Sequence, residues 1–304
     1  MKEFYMDSHG KGKVHCCFWP AQGQTRAIVQ IVHGIAEYGE RYGDFAAFLN
    51  ERGIAVAAED HMGHGKTAGD REPKGYFHGG WLAAVADSYG LLARLRGEYP
   101  DVPYFLFGHS MGSFMARTML YTYPNSGITG AILCGTGWQP RAVLEAGLLL
   151  AKAECLGGKE DKPSPRLEKL MFGSYNKGIT PQRTAYDWLN RDSAAVDRYI
   201  ADPMCGFPAT PGLARDMLTG IRMNQDPKNL AHMKKDLPVL FVAGQADPVG
   251  AWGKGVAQTV GAFGKAGMQH ITQIMYPGGR HEILNETNKN QVYQDIYGWI
   301  QEKV

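Results

Sequence analysis

Cysteine is scarce and scattered: five among 304 residues, at Cys16, Cys17, Cys134, Cys155 and Cys205. An odd, irregular set of this kind is not a disulfide framework. Cys16 and Cys17 are neighbours, so on a strand they point to opposite faces and cannot share a zinc ion. Free thiols of a reducing compartment are expected. Long hydrophobic runs are missing too. The longest aliphatic stretch, around Gly147 to Ala151, is far short of the ~20 residues that cross a bilayer. Met1 to Asp7 lacks the basic-then-apolar pattern of a secretory leader. A cytoplasmic protein with no transmembrane segment is expected. An excess of one charge is also absent, with 32 Lys and Arg against 30 Asp and Glu and a net charge of +2. No basic run offers a phosphate-tracking stripe, which argues against a nucleic-acid partner. Internal repeats and low-complexity segments are lacking as well.

What the chain does have is alternation. Glu3 to Asp7 and Lys13 to Trp19 read as two strands around a Ser-His-Gly-Lys-Gly turn. Arg26 to Val32, Ile54 to Ala58, Pro103 to Phe107 and Ile128 to Cys134 are short apolar strands. Helical patterns at Arg41 to Arg52, Trp81 to Tyr99 and Ser110 to Tyr123 separate them. Such an order predicts an α/β fold with a mainly parallel central sheet flanked by helices. The alternation lapses near Gly135. From Trp138 to Leu230 there are only helix-like stretches, at Val143 to Leu156, Leu167 to Tyr175, Ala194 to Ile200 and Leu213 to Met223, with prolines between them. It then resumes with a strand at Pro238 to Ala243, a helix at Gly255 to Lys265, a strand at Ile271 to Tyr276 and a helix at Asn290 to Lys303. The expected organisation is a core of residues 1–137 and 231–304 with a helical cap, 138–230, inserted into it.

The chemistry concentrates on Gly108-His109-Ser110-Met111-Gly112. A G-x-S-x-G string is weak alone, but here it joins an apolar strand to a helix. That context suits a sharp turn presenting the Ser110 hydroxyl at a helix N-terminus. A serine needs a base, and the base needs an orienting acid. In this kind of fold the chain order is Ser, acid, His. Asp247 follows the strand ending at Ala243, and His281 follows the strand ending at Tyr276, so all three fall on one sheet edge. Glu282 is a second candidate acid, although adjacent side chains diverge, and His270 lies at the wrong end of its strand. The oxyanion donors expected are the backbone N–H groups of Met111, after the nucleophile, and Ile35, in the His33 to Tyr38 loop. His33 reads as structural, its ring bonding loop backbone. His61 and His64 have no third metal ligand at a useful spacing, and the glycines around them lack a phosphate-loop pattern. Their loop reads as a packed buttress, and neither a metal nor an organic cofactor is expected.

Together these segments resemble the monoacylglycerol lipase and lysophospholipase branch of the α/β hydrolases, within the serine aminopeptidase S33 type. Five motifs carry the resemblance, in order: His33-Gly34-Ile35-Ala36-Glu37-Tyr38 with Arg41-Tyr42, Asp60-His61-Met62-Gly63-His64-Gly65, Gly108 to Gly112, Asp247-Pro248-Val249, and Gly279-Arg280-His281-Glu282. They span roughly residues 1–135 and 236–304. In the cap the similarity is thinner, at Trp188 to Asp192 and Tyr199 to Met204. The resemblance implies the α/β-hydrolase fold, the Ser110–Asp247–His281 triad, the Ile35/Met111 oxyanion hole and hydrolysis without a cofactor.

The function this favours is hydrolysis of a carboxylic ester with an apolar acyl group through an acyl-enzyme on Ser110. Leu148, Leu149, Met171, Phe172, Met204, Phe207, Met217 and Met223 are available as an apolar, Met-rich cap lining, about half of them needed for packing. Two other readings stay open. A peptidase or amidase of the prolyl aminopeptidase kind would use acids such as Asp192, Asp197 and Asp202 to hold a substrate amine. A non-catalytic member would bind a small ligand without turnover.

Overall fold

The computed structural model of the chain describes residues 1–69 and 74–304. Eight strands build one sheet: β1 Lys2–Asp7, β2 Lys13–Trp19, β3 Ala27–Val32, β4 Ile54–Glu59, β5 Tyr104–His109, β6 Gly130–Cys134, β7 Val239–Gly244 and β8 Ile271–Tyr276. Their order is β1-β2-β4-β3-β5-β6-β7-β8. The β1–β2 hairpin and the β2–β4 pair are antiparallel, and every other pair is parallel. In parallel strands the carboxyl ends share an edge, so the loops after β3, β5, β6, β7 and β8 converge there. Strands β3, β4, β5 and β7 are buried along their whole length, as expected for strands covered on both faces.

The helices are α1 Gly43–Asn50, α2 Gly65–Ala68, α3 Gly80–Glu98, α4 Met111–Thr122, α5 Arg141–Glu154, α6 Pro165–Phe172, α7 Ser193–Ala201, α8 Pro211–Asn224, α9 Pro227–Leu230, α10 Lys254–Lys265 and α11 Lys289–Gln301. Two apolar clusters lie on the sheet's two faces. Leu106, Leu133 and Phe241 pack with Leu91 of α3, Met115 of α4 and Phe263 of α10. Phe105, Phe107 and Leu240 pack with Phe45 of α1 and Ile296 and Ile300 of α11. The period-2 alternation of strand side chains divides β5 between the clusters. Cys16 and Cys17 follow the same rule, one in each cluster, and all five cysteines are unpaired.

Helices α5 to α9 all fall between β6 and β7, and no strand forms there among the described residues. Two of the helix starts that differ from the sequence expectation are set by proline. Helices α6 and α8 begin at Pro165 and Pro211, two residues before the first apolar position. Ser164 and Thr210 cap them by accepting from the Leu167 and Leu213 N–H groups. These prolines open helices rather than separate them, because position N1 has no N–H to lose. Among the described residues no helix is long and apolar enough to cross a membrane.

Candidate active site

The turn after β5 carries Ser110 in a conformation few side chains adopt, with φ 53° and ψ −120°. A positive φ at a non-glycine residue costs about 1–3 kcal/mol and needs its surroundings to impose it. The surroundings are tight. A Cβ at Gly112 would fall on the Val32 carbonyl oxygen, and one at Gly108 would lie 2.5 Å from the Gly112 oxygen. The Ser110 N–H donates to the Cys134 carbonyl at 2.9 Å, tying the turn to β6. Met111, the next residue, opens α4, so its N–H has no acceptor within the helix. The other non-glycine residues with positive φ are Ala36, Ala251 and Trp252, which lie beside Ile35 and just beyond Asp247. Backbone strain among the described residues is thus concentrated at one sheet edge.

His281 and Asp247 meet. Nδ1 of His281 lies 2.9 Å from Oδ2 of Asp247, and both side chains are buried. The other Asp247 oxygen accepts the Val249 N–H at 2.9 Å. Burial pulls the imidazole toward neutrality, but the charge and hydrogen bond of Asp247 outweigh it, and the His281 pKa is raised above its ordinary 6.5. The Trp188 ring lies 5.1 Å from the imidazole and the His109 ring 4.8 Å from it, centre to centre.

Glu282, the second candidate acid, is engaged elsewhere. Its two oxygens take Arg41 at 2.8 and 3.1 Å. Arg41 also donates to Glu37 at 2.6 Å, and Glu37 accepts the Gly34 N–H at 2.6 Å and the Tyr42 hydroxyl at 2.9 Å. One largely buried guanidinium therefore couples the Ile35 loop to the His281 loop. Burial pushes the Glu282 carboxyl up, but Arg41 outweighs it and the pKa is lowered. The sequence reading included Glu37 and Arg41 in a motif without giving them a role. Their i, i+4 spacing was the available signal.

His33 donates from Nδ1 to the Gly34 carbonyl at 2.8 Å, and its Nε2 accepts the His61 N–H at 3.0 Å. Both nitrogens are used on backbone, as the sequence suggested. His61 Nε2 meets the His33 carbonyl and His64 Nδ1 the Met62 carbonyl. Burial lowers their pKa values to about 3 and about 4. His270 is exposed and precedes β8, at the opposite sheet edge. Among the described residues, Glu3, His15 and Glu40 are close enough together to share an ion. The Lys66 ammonium already occupies that position, 2.8 Å from Glu3 and 2.5 Å from Glu40.

Ser110, His281 and Ile35 line one cavity of about 490 Å³, part of it open to solvent. Its far wall comes from the segment between β6 and β7: Glu168, Phe172, Tyr186, Trp188, Leu189, Tyr199 and Phe207. The wall is aromatic rather than rich in methionine. Of the eight expected lining residues only Phe172 and Phe207 reach it. Met171, Met217 and Met223 pack against apolar clusters, Leu148 is buried, and Leu149 is 72 % exposed. That segment is fastened to the His281 loop. Arg280 donates to the Asp187 and Asn190 carbonyls at 2.6 and 2.8 Å, and the Glu282 N–H donates to the Leu189 carbonyl at 2.8 Å.

The family model described as serine aminopeptidase, S33, matches residues 23–288. The chain belongs to this family of α/β hydrolases. Its fold superposes on a thermostable carboxyl esterase from Bacillus coagulans, solved with glycerol, with a TM-score of 0.90 and 31% identity over 99% of this chain and 98% of that one. It is 27% identical to a monoacylglycerol lipase of Mycolicibacterium smegmatis, over 93% of this chain and 90% of the relative. It is also 26% identical to the monoglyceride lipase of Homo sapiens, over 95% and 86%.

Proposed function

We propose that the protein is a carboxylic ester hydrolase in which Ser110 is the nucleophile, His281 the general base and Asp247 its orienting acid. The observation that carries this reading is the buried Asp247–His281 pair opening on the same cavity as Ser110. Asp247 holds the proton on Nδ1, which leaves Nε2 as the basic nitrogen. In the reaction Ser110 Oγ attacks the ester carbonyl and passes its proton to Nε2. The N–H groups of Ile35 and Met111 receive the oxyanion. His281 then protonates the leaving alcohol, and a water deprotonated by the same nitrogen hydrolyses the acyl-enzyme. No step calls for a metal or an organic cofactor.

The lipase and esterase relatives and the aromatic wall support an ester with an apolar acyl group. We assign residues 138–230 the role of a cap that encloses this group and excludes water. The cytoplasm is the compartment that five unpaired thiols suit. The family description favours a second reading, an aminopeptidase. The cap acids suggested for that role have local partners instead. Asp192 caps α7, Asp197 pairs with Arg183 at 2.6 Å, and Asp202 accepts the Tyr38 hydroxyl at 2.7 Å.

The test is a series of 4-nitrophenyl esters from acetate to octanoate beside aminoacyl-anilides. Esters should turn over and anilides should not. kcat/KM should rise over the first several carbons, each CH2 contributing up to ~4-fold, and then level off. Flat or falling values would move the substrate to small polar esters, and turnover of the anilides alone would favour the aminopeptidase.

A further inference from the structure

The cavity wall carries one carboxylate without an opposing charge. Glu37 and Glu282 share Arg41, and Asp247 is held by His281. Glu168, on α6, also lines the cavity, and no cation pairs with it among the described residues. Its one donor there is the Ala209 N–H, 3.1 Å from Oε2. Burial raises its pKa, opposed only by that single hydrogen bond. Its neighbours on the wall are aromatic: Phe172, Tyr186, Trp188 and Phe207. The Tyr186 hydroxyl donates to the Gly206 carbonyl, at 3.0 Å.

Holding a carboxylate against a half-dry aromatic wall is unfavourable unless the ligand compensates it. The chemistry that does so is a cation. It gains from the negative charge directly and from the ring faces through their quadrupoles. A neutral hydroxyl donor would satisfy one oxygen but would leave the charge unpaired.

We propose that Glu168 is a specificity-determining residue that selects esters carrying an ammonium group. The inference rests on the ester-hydrolase reading and adds the charge of the substrate to it. The ammonium can sit in the alcohol or in the acyl half, and the two arms of the test separate these.

In the first arm, kcat/KM for butyrylcholine is divided by that for its uncharged carbon isostere, 3,3-dimethylbutyl butyrate. In the second, 4-nitrophenyl 6-aminohexanoate is divided by 4-nitrophenyl heptanoate. Wild type and Glu168→Gln are compared, because glutamine keeps a carbonyl oxygen for the Ala209 N–H. Thermal melting checks that both are folded, and Glu168→Asp is a second variant that retains the charge. In one arm the wild-type ratio should exceed one and fall by about tenfold in Glu168→Gln, the scale of a desolvated cation–π and charge contact. Glu168→Asp should keep part of the preference, and added salt should reduce the wild-type ratio. Ratios unchanged by Glu168→Gln in both arms would overturn the proposal, as would wild-type discrimination against the cation in both. Failure of wild type to cleave any of the four esters, charged or neutral, would instead remove the ester-hydrolase reading itself.

Discussion

Two buried histidines stand beyond the carboxyl ends of strands at the same sheet edge, and they are in opposite electrostatic situations. His33 follows β3 with both nitrogens on backbone groups and no carboxylate in contact among the described residues. Burial, with His61 and His64 nearby, holds its pKa well below the ordinary value. His281, equally buried, has a carboxylate on Nδ1 and a raised pKa. Burial alone therefore makes a histidine a neutral spacer. A buried acid on one nitrogen is what makes the other nitrogen a useful base.

Removing that acid should erase the contrast most completely. Asp247→Asn is expected to lower kcat by up to ~10⁴-fold while the protein still folds, because the imidazole loses its enforced tautomer. The pH profile gives the sign. With a raised pKa, His281 gains its proton as pH falls through a value above 6.5, so the acid limb of wild-type kcat/KM lies above pH 6.5. In Asp247→Asn burial acts without its counterweight, and the limb of the residual activity should move to lower pH. Near wild-type turnover with an unmoved limb would break the comparison.

A smaller effect is expected at Arg41, which joins the loop beside His33 to the loop bearing His281. Arg41→Met leaves Glu37 and Glu282 buried together without their cation. A stability loss of about 3–5 kcal/mol is expected on chemical denaturation. Arg41→Lys should recover part of it, since one ammonium cannot reproduce the fork to both carboxylates. Equal stability of all three proteins would show that the network does not couple the loops.

His33→Ala tests the other half of the contrast. It strands the His61 N–H, so about 1–3 kcal/mol of stability should be lost. kcat/KM should fall much less than in Asp247→Asn, and the acid limb should stay in place. A loss as large as that of Asp247→Asn, with a displaced limb, would make His33 the base.

The contrast extends to an acid. Glu59 is buried at the end of β4 with Ser88 and Gln30 for partners and no cation among the described residues, and burial pushes its pKa up to about 8. The folded protein holds this proton to higher pH than the unfolded chain does. Stability from this group therefore declines as pH rises from about 4.5 to about 8 and then levels off. Glu59→Gln should gain stability relative to wild type across that window. A melting-temperature difference that does not change between pH 5 and pH 9 would contradict the account.

The core was more legible in the sequence than the segment between β6 and β7. Strands such as Ala27–Val32 and Val239–Gly244 are continuous apolar runs because both faces are covered, and Gly108 and Gly112 mark a turn whose backbone excludes a Cβ. In the intervening segment the apolar residues were visible but their direction was not. Met217 packs on the main core while Phe207 faces the cavity, and composition does not distinguish these destinations. Ser164-Pro165, Thr210-Pro211 and Asp226-Pro227 did carry a local signal, a capping side chain before an N1 proline. Reading Pro165 and Pro211 as breaks hid the starts of α6 and α8, and the Asp226-Pro227 signal for α9 was passed over. The partner of Glu282 was not readable, because Arg41 is 241 residues away in the chain.

The central claim, that Ser110 is the residue which becomes acylated, is tested most directly by mass spectrometry after reaction with a fluorophosphonate. One adduct per wild-type chain is predicted, mapped to the peptide containing Ser110. Ser110→Ala should give no adduct, together with a fall in ester turnover of at least ~10³-fold. Full labelling of Ser110→Ala, or a wild-type adduct on a different serine, would contradict the account.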